Sequence, residues 1–172
     1  AGSNFIGACA HAAAAVGLDC EIEVAGEPMD VWPVPLLMAQ STGAVIHFTG
    51  LDRSLINEQV ERRAVELAAE GRGPYPVPRG GATAVGGLGF ARAAIELHEQ
   101  CKARGTDPNQ VTVVLPVGSG ASIAGFLAGS DFLGAMWKIV GVSVSRNVDQ
   151  MGDIITDLSA ETSELLGREA PS

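Results

Sequence analysis

The run Val111-Thr112-Val113-Val114-Leu115 passes through Pro116-Val117-Gly118-Ser119-Gly120-Ala121-Ser122 straight into a helical stretch reaching about Ala128. That junction constrains the fold more than any other feature of the chain. A continuous apolar strand without polar alternation belongs in a sheet covered by helices, and a strand leading at once into a helix is half of a β–α unit. The same alternation recurs elsewhere. Residues 4–16 are Ala-rich and free of proline, a helix that Gly17 ends. Residues 20–25 (CEIEVA) and 44–49 (AVIHFT) read as short strands, with a helix over 34–41 between them. Residues 55–70 place Ile56, Val60, Ala64, Leu67 and Ala68 on one face of an amphipathic helix. Residues 75–78 are extended and suit a sheet edge, because Pro76 and Pro78 cannot donate to a ladder. A long helix over 84–104, a buried strand over 137–144 and an amphipathic helix over 149–166 complete the pattern. Strands alternating with helices predict an α/β fold with mostly parallel sheets. We place a small α/β lobe at 1–72 and a second lobe at 73–172.

Composition narrows the function classes. Hydrophobic residues are 47% and charged residues 18% of 172, which excludes a disordered chain. The net charge of -9 is the wrong sign for nucleic acid or an anionic membrane. No apolar run reaches the roughly 18 residues of a membrane helix, and no charged-then-apolar leader opens the chain, so a cytoplasmic location is expected. The first residue is Ala1, which fits a processed chain or a piece of a longer one. The three cysteines, Cys9, Cys20 and Cys101, are odd in number and lack a C-x-x-C spacing. They predict buried free thiols and neither a disulfide framework nor a zinc site. His11, His47 and His98 lie far apart, without a carboxylate at ligand spacing.

Three segments could carry chemistry. In the 118–122 loop, glycine permits a tight turn and close ligand approach, backbone N–H groups converge with the helix N-terminus, and Ser119 and Ser122 add hydroxyl donors. No lysine follows as in a Walker A loop, and position 123 is Ile where G-x-G-x-x-G has its last glycine. Phosphate binding and a plain glycine-rich β–α turn both fit. At the first helix, Ser3 and Asn4 serve either as an N-cap or as groups facing a ligand, and spacing alone favours the cap. The third segment, residues 79–89, holds five glycines, whose more frequent cause is close helix packing.

Together the three segments resemble pyridoxal-phosphate enzymes of the 1-aminocyclopropane-1-carboxylate deaminase and D-cysteine desulfhydrase family, of fold type II. Gly2-Ser3-Asn4-Phe5 stands where that family has a Q-S-N-H-like segment. Residues 77–90 (VPRGGATAVGGLGF) follow its I-P-V-G-G-S-N-x-L-G-x-L-G-Y segment, residues 117–122 its T-G-S-G-G-T phosphate loop, and residues 141–146 its G-V-S-V-S-R segment. The likeness spans residues 2 to about 166. It implies a three-layer sandwich, here a small lobe plus part of a large one, and pyridoxal 5'-phosphate as cofactor. It implies Ser3 as a catalytic group acting on the substrate and Asn4 beside the ring's O3′. Gly118, Ser119, Gly120, Ala121 and Ser122 would cradle the phosphate, and no metal is implied.

The implied reaction is a lyase or deaminase step on a small amino acid of the D-cysteine or 1-aminocyclopropane-1-carboxylate type, releasing ammonia and a 2-oxo acid. The departures are equally specific. The family's Schiff-base lysine lies upstream of the Ser-Asn segment, a position this sequence does not include, so covalent attachment at that position is not possible here. The family's C-terminal third is also not represented. Lys102 and Lys138 are elsewhere and read as solvated side chains. Phe5, Ile6-Gly7 and Arg79 replace His or Gln, Thr-Arg and an apolar residue. Three readings follow. The chain is a part of such an enzyme, one subunit that needs a complementing partner or another copy of itself, or a lysine-less descendant kept as a binding subunit. A domain for some other phosphate ligand is the remaining class, and Lys138 and Ser143-Val144-Ser145 stand where a dinucleotide site needs an acid.

Overall fold

The chain divides into two units, Ala1–Gly80 and Gly81–Ser172. In this computed structural model the described residues are 2–135, 137–144 and 146–168.

The first unit contains α1 (Asn4–Ala15), β1 (Glu21–Val24), α2 (Val34–Ser41), β2 (Val45–Phe48) and α3 (Ile56–Ala69). β1 and β2 pair in parallel, from Glu21 opposite Val45 to Val24 opposite Phe48. Val24, Leu36, Ala39, Ile56 and Leu67 are buried, and Trp32 packs on Phe48 with ring centroids 5.5 Å apart. Gly7 lets α1 settle on α2, since a Cβ there would lie 3.3 Å from both Met38 Cβ and the Pro35 carbonyl. Glu21, on β1, accepts from Arg63 at 2.9 Å and Arg72 at 2.7 Å, with His47 Nε2 at 3.5 Å. Residues 73–78 form no strand. They lead to Arg79, whose N–H donates to Asn57 Oδ1 at 3.0 Å and whose guanidinium donates to the Arg53 carbonyl at 2.8 Å.

The second unit contains α4 (Ala84–Ala103), β3 (Thr112–Val117), α5 (Ala121–Leu133), β4 (Lys138–Ser143) and α6 (Val148–Leu165). β3 and β4 are parallel, from Thr112 opposite Lys138 to Val117 opposite Ser143. α5 makes the crossover between them. Val113, Leu115, Val117 and Ile139 point into two adjoining cores, one around Ala94, Phe126 and Trp137, the other around Ile123 and Met151. The opposite face of this sheet is not covered by the described residues. Val114 is 60%, Val142 52% and Val144 68% exposed, so an apolar row stands open among the described residues.

The glycines of residues 79–89 serve different ends: Gly80 and Gly81 have left-handed φ of 70° and 62°, a Cβ at Gly86 would meet the Gly81 carbonyl, Gly87 packs on another helix, and a Cβ at Gly89 would meet no described atom within 4 Å. A Cβ at Gly87 would collide with Thr162 of α6, one at Gly125 with the Gly87 carbonyl, and one at Gly129 with the Ala91 carbonyl. Backbone therefore touches backbone where α4 crosses α5. α5 continues past Ala128 because Gly129 is a contact, and the helix ends at Gly134, whose φ of 63° is left-handed. No helix among the described residues is long and apolar enough to cross a membrane.

Candidate functional site

The 118–122 loop joins the C-terminal end of β3 to the N-terminus of α5. Strand pairing carries Val117 into the core and aims the following residues out of the sheet end. Gly120 occupies the N-cap position with φ 98° and ψ -23°, a conformation that side-chain-bearing residues rarely adopt. Its Cβ would also lie 3.2 Å from Ile154 Cγ2 and 3.3 Å from Met151 Cε, so glycine is required here by the fold itself. Gly118 differs. Its φ is not positive, and a Cβ there would meet no described atom within 4 Å.

The electrostatics of the loop follow from what α5 lacks. No side chain caps its N-terminus and its first turn holds no acidic residue. The first backbone hydrogen bond into the helix is Ala124 N–H to the Gly120 carbonyl at 3.0 Å, so the preceding amides are not used within the helix. Their partial positive charge adds to that of the helix dipole. The half-buried hydroxyls of Ser119 and Ser122 make no hydrogen bond to described residues. The amides at the start of α5, two hydroxyls and the lack of an acid in the helix's first turn fit a phosphate dianion.

Ser3 and Asn4 open α1 in the first unit, both exposed. Ser3 stands at the N-cap position with extended backbone, but its side chain makes no capping bond. The cap that spacing favours is thus not formed, and the hydroxyl is left for another role. α1 also has no acid in its first turn. The fold therefore brings Gly118, Ser119, Gly120, Ala121 and Ser122 together in one unit, and Ser3 with Asn4 in the other. Within the 141–146 segment, Ser145 lies outside the described residues. Lys102, in the last turn of α4, and Lys138, first in β4, are both exposed. No group of three or more metal-binding side chains occurs among the described residues.

One feature was not legible from spacing. Cys9 and Cys20 are half-buried, not buried. The Cys20 side chain lowers the Cys9 thiol to about 6 against the opposing effect of burial. Cys20 rises, from its interaction with Cys9, from burial and from the charges of Cys9 and Glu21.

Comparison with known proteins identifies the family and the fold. A family model described as pyridoxal-phosphate dependent enzyme matches residues 1–168. A Pyrococcus abyssi (strain GE5 / Orsay) protein named "Putative 1-aminocyclopropane-1-carboxylate deaminase" is 36% identical over 166 residues, covering 96% of this chain and 49% of that protein. The crystal structure of an ACC deaminase homologue superposes with a TM-score of 0.84 at 29% identity, over 99% of this chain and 50% of that one. The chain thus spans about half the length of these two relatives.

Proposed function

Because the chain belongs to the family of pyridoxal-phosphate-dependent enzymes, we propose that it is the phosphate-anchoring part of a lyase or deaminase acting on a small amino acid. The substrate class is that of D-cysteine or 1-aminocyclopropane-1-carboxylate, and the products are ammonia and a 2-oxo acid. The observation that carries this is the N-terminus of α5, uncapped, free of acid in its first turn and preceded by Gly118-Ser119-Gly120.

When bound, pyridoxal phosphate supplies an electron sink for bonds at the amino acid's Cα. The chain's own part is narrower. The amides and hydroxyls of residues 118–122 hold the phosphate dianion. Asn4 offers an amide donor for the ring oxygen, and Ser3 offers a hydroxyl able to give or take a proton at the substrate. The covalent anchor is not among the residues present, so the complete activity needs a lysine from additional sequence or from another chain.

Calorimetric titration of the chain with pyridoxal phosphate and, separately, inorganic phosphate tests the anchor. Both should bind in competition, and Ser119→Ala with Ser122→Ala should weaken both by at least about tenfold, since each hydrogen bond lost to a charged group is worth about 1.5–3 kcal/mol. Equal affinity in the double variant refutes the assignment. Adding a polypeptide that supplies the family's lysine should then yield ammonia and a 2-oxo acid from one of the two substrates. Binding without turnover in that mixture favours the non-catalytic subunit, for which the replacement of Thr-Arg by Ile6-Gly7 speaks.

A further inference from the structure

β3 and β4 end side by side, with Val117 opposite Ser143 and the Val144 N–H donating to the Val117 carbonyl at 3.1 Å. The residues that follow each strand therefore leave the sheet at the same end, the 118–122 loop after β3 and Arg146 after β4. Arg146 is held there by its backbone. The Ser143 hydroxyl donates to the Arg146 carbonyl at 2.7 Å and accepts from the Arg146 N–H at 3.4 Å. The residue is exposed, and among the described residues its guanidinium makes one weak contact, Nη1 to the Met151 sulfur at 3.8 Å. The methyl of the same methionine lies 3.3 Å from where a Gly120 Cβ would stand. One buried side chain thus lies between the guanidinium and the N-cap of α5. No carboxylate among the described residues is within ion-pair distance of Arg146. Asp149 and Asp153, two positions either side of Met151, are exposed and stand about 200° around α6 from it. Lys138 opens β4 at the opposite end of the sheet, and Arg168 donates to the Phe132 carbonyl at 3.1 Å, at the far end of α5.

We propose that Arg146 is a further phosphate-binding residue, whose guanidinium turns from the Met151 sulfur to an anion held at residues 118–122. It rests on that loop being the phosphate anchor. Backbone amides and a helix end carry only partial charges and hydroxyls carry none, so a dianion held by them alone keeps most of its charge. A guanidinium is always protonated and presents a planar fork of donors that matches phosphate oxygens. A thioether is a weak acceptor, so leaving it costs little. The chain's net charge of -9 repels a free anion, and a cation at the mouth of the loop offsets that repulsion locally. Arg146 therefore selects for the ligand's phosphate and not for its ring.

Calorimetric titrations of the 172-residue chain with inorganic phosphate and with pyridoxal phosphate test this role. Arg146→Gln should weaken both by about tenfold or more, as the loss of a charge-assisted hydrogen bond requires. Arg146→Lys, which keeps the charge without the fork, should lose less. Raising sodium chloride from about 50 mM to about 500 mM should weaken binding more in the parent than in Arg146→Gln. Because Arg146 is exposed, the urea midpoint of Trp137 fluorescence, in a Trp32→Phe background, should be the same in all three proteins. If Arg146→Gln keeps full affinity while Ser119→Ala with Ser122→Ala loses it, the role of Arg146 is refuted and the loop remains the anchor. A parent that binds neither ligand overturns both. A lowered urea midpoint in both Arg146 variants assigns the residue to the fold and overturns the proposal.

Discussion

Gly118 and Gly120 stand two residues apart in the same loop, and the structure gives them different reasons for being glycine. Replacing each with alanine should separate those reasons. At Gly120 the backbone φ of 98° costs a side-chain-bearing residue about 1–2 kcal/mol. The new methyl would also press on Ile154 Cγ2 at 3.2 Å and Met151 Cε at 3.3 Å, an overpacking cost of about 1 kcal/mol. The expected loss is about 2–3 kcal/mol, or a folding equilibrium weakened about 30- to 150-fold. At Gly118 neither penalty applies, and a less flexible unfolded chain should leave stability unchanged or raise it by up to about 1 kcal/mol. The molecule provides its own reporters. Trp32 lies in the first unit and Trp137 in the core of the second, so Trp32→Phe leaves Trp137 fluorescence to follow the second unit in urea. Pyridoxal phosphate titrations on the same proteins complete the comparison. Gly118→Val should keep the urea midpoint and lose about tenfold in affinity, since its side chain grows toward open space at the loop. If Gly120→Ala is as stable as the parent, the account of Gly120 is wrong. If Gly118→Val keeps full affinity, the loop is not the anchor.

Gly125→Ala should destabilise the second unit by about 2–4 kcal/mol, read from the same Trp137 transition, because its methyl would fall on the Gly87 carbonyl. The Glu21 carboxyl is pushed up by burial but held below its ordinary value by Arg63 and Arg72, so its contribution is complete above the unfolded pKa of about 4.3 and lost as pH falls through the lower folded value. Glu21→Gln should accordingly lower the stability of the first unit at pH 7 and flatten its acid dependence below about pH 4, measured by urea titration of Trp32 fluorescence. The open row of Val114, Val142 and Val144 predicts association at micromolar concentration, and Val142→Lys should shift sedimentation toward monomer without moving the thermal midpoint by more than about 2 °C. Borohydride reduction with pyridoxal phosphate should give no stoichiometric label on Lys102 or Lys138, by peptide mapping, since both are exposed and neither is in the family's position.

Element types were legible in the sequence because glycine punctuation and apolar periodicity are local. α2 and the start of α4 fall where the pattern predicts them. Gly129 misled, since a glycine in a helix looks like a stop until the carbonyl of Ala91 is found against it. β3 reaches Val117 through Pro116, which a two-stranded sheet tolerates because both of its strands are edges. An unbroken apolar run calls for cover on both faces, and Val114 marks the face that the described residues leave open. The glycine-serine loop was visible by its residue types. The unformed cap at Ser3 was not, because spacing describes where a side chain stands and not what it bonds.

The contact of Gly125 and Gly129 with the Gly87 and Ala91 carbonyls has a consequence for motion and for drift. Helices separated by side chains can slide as rotamers change, whereas helices in backbone contact move as one body. The start of α5, and with it the loop, therefore inherits the position of the 20-residue α4. Amides held in this way are already at their working separation when a ligand arrives, so little is lost to ordering. The same rigidity divides the positions open to evolutionary change. Gly87, Gly125 and Gly129 would be retained by any descendant that keeps the fold, whether or not it binds a phosphate. Ser119 and Ser122, which hold nothing else among the described residues, would be the first to vary once a ligand ceased to matter.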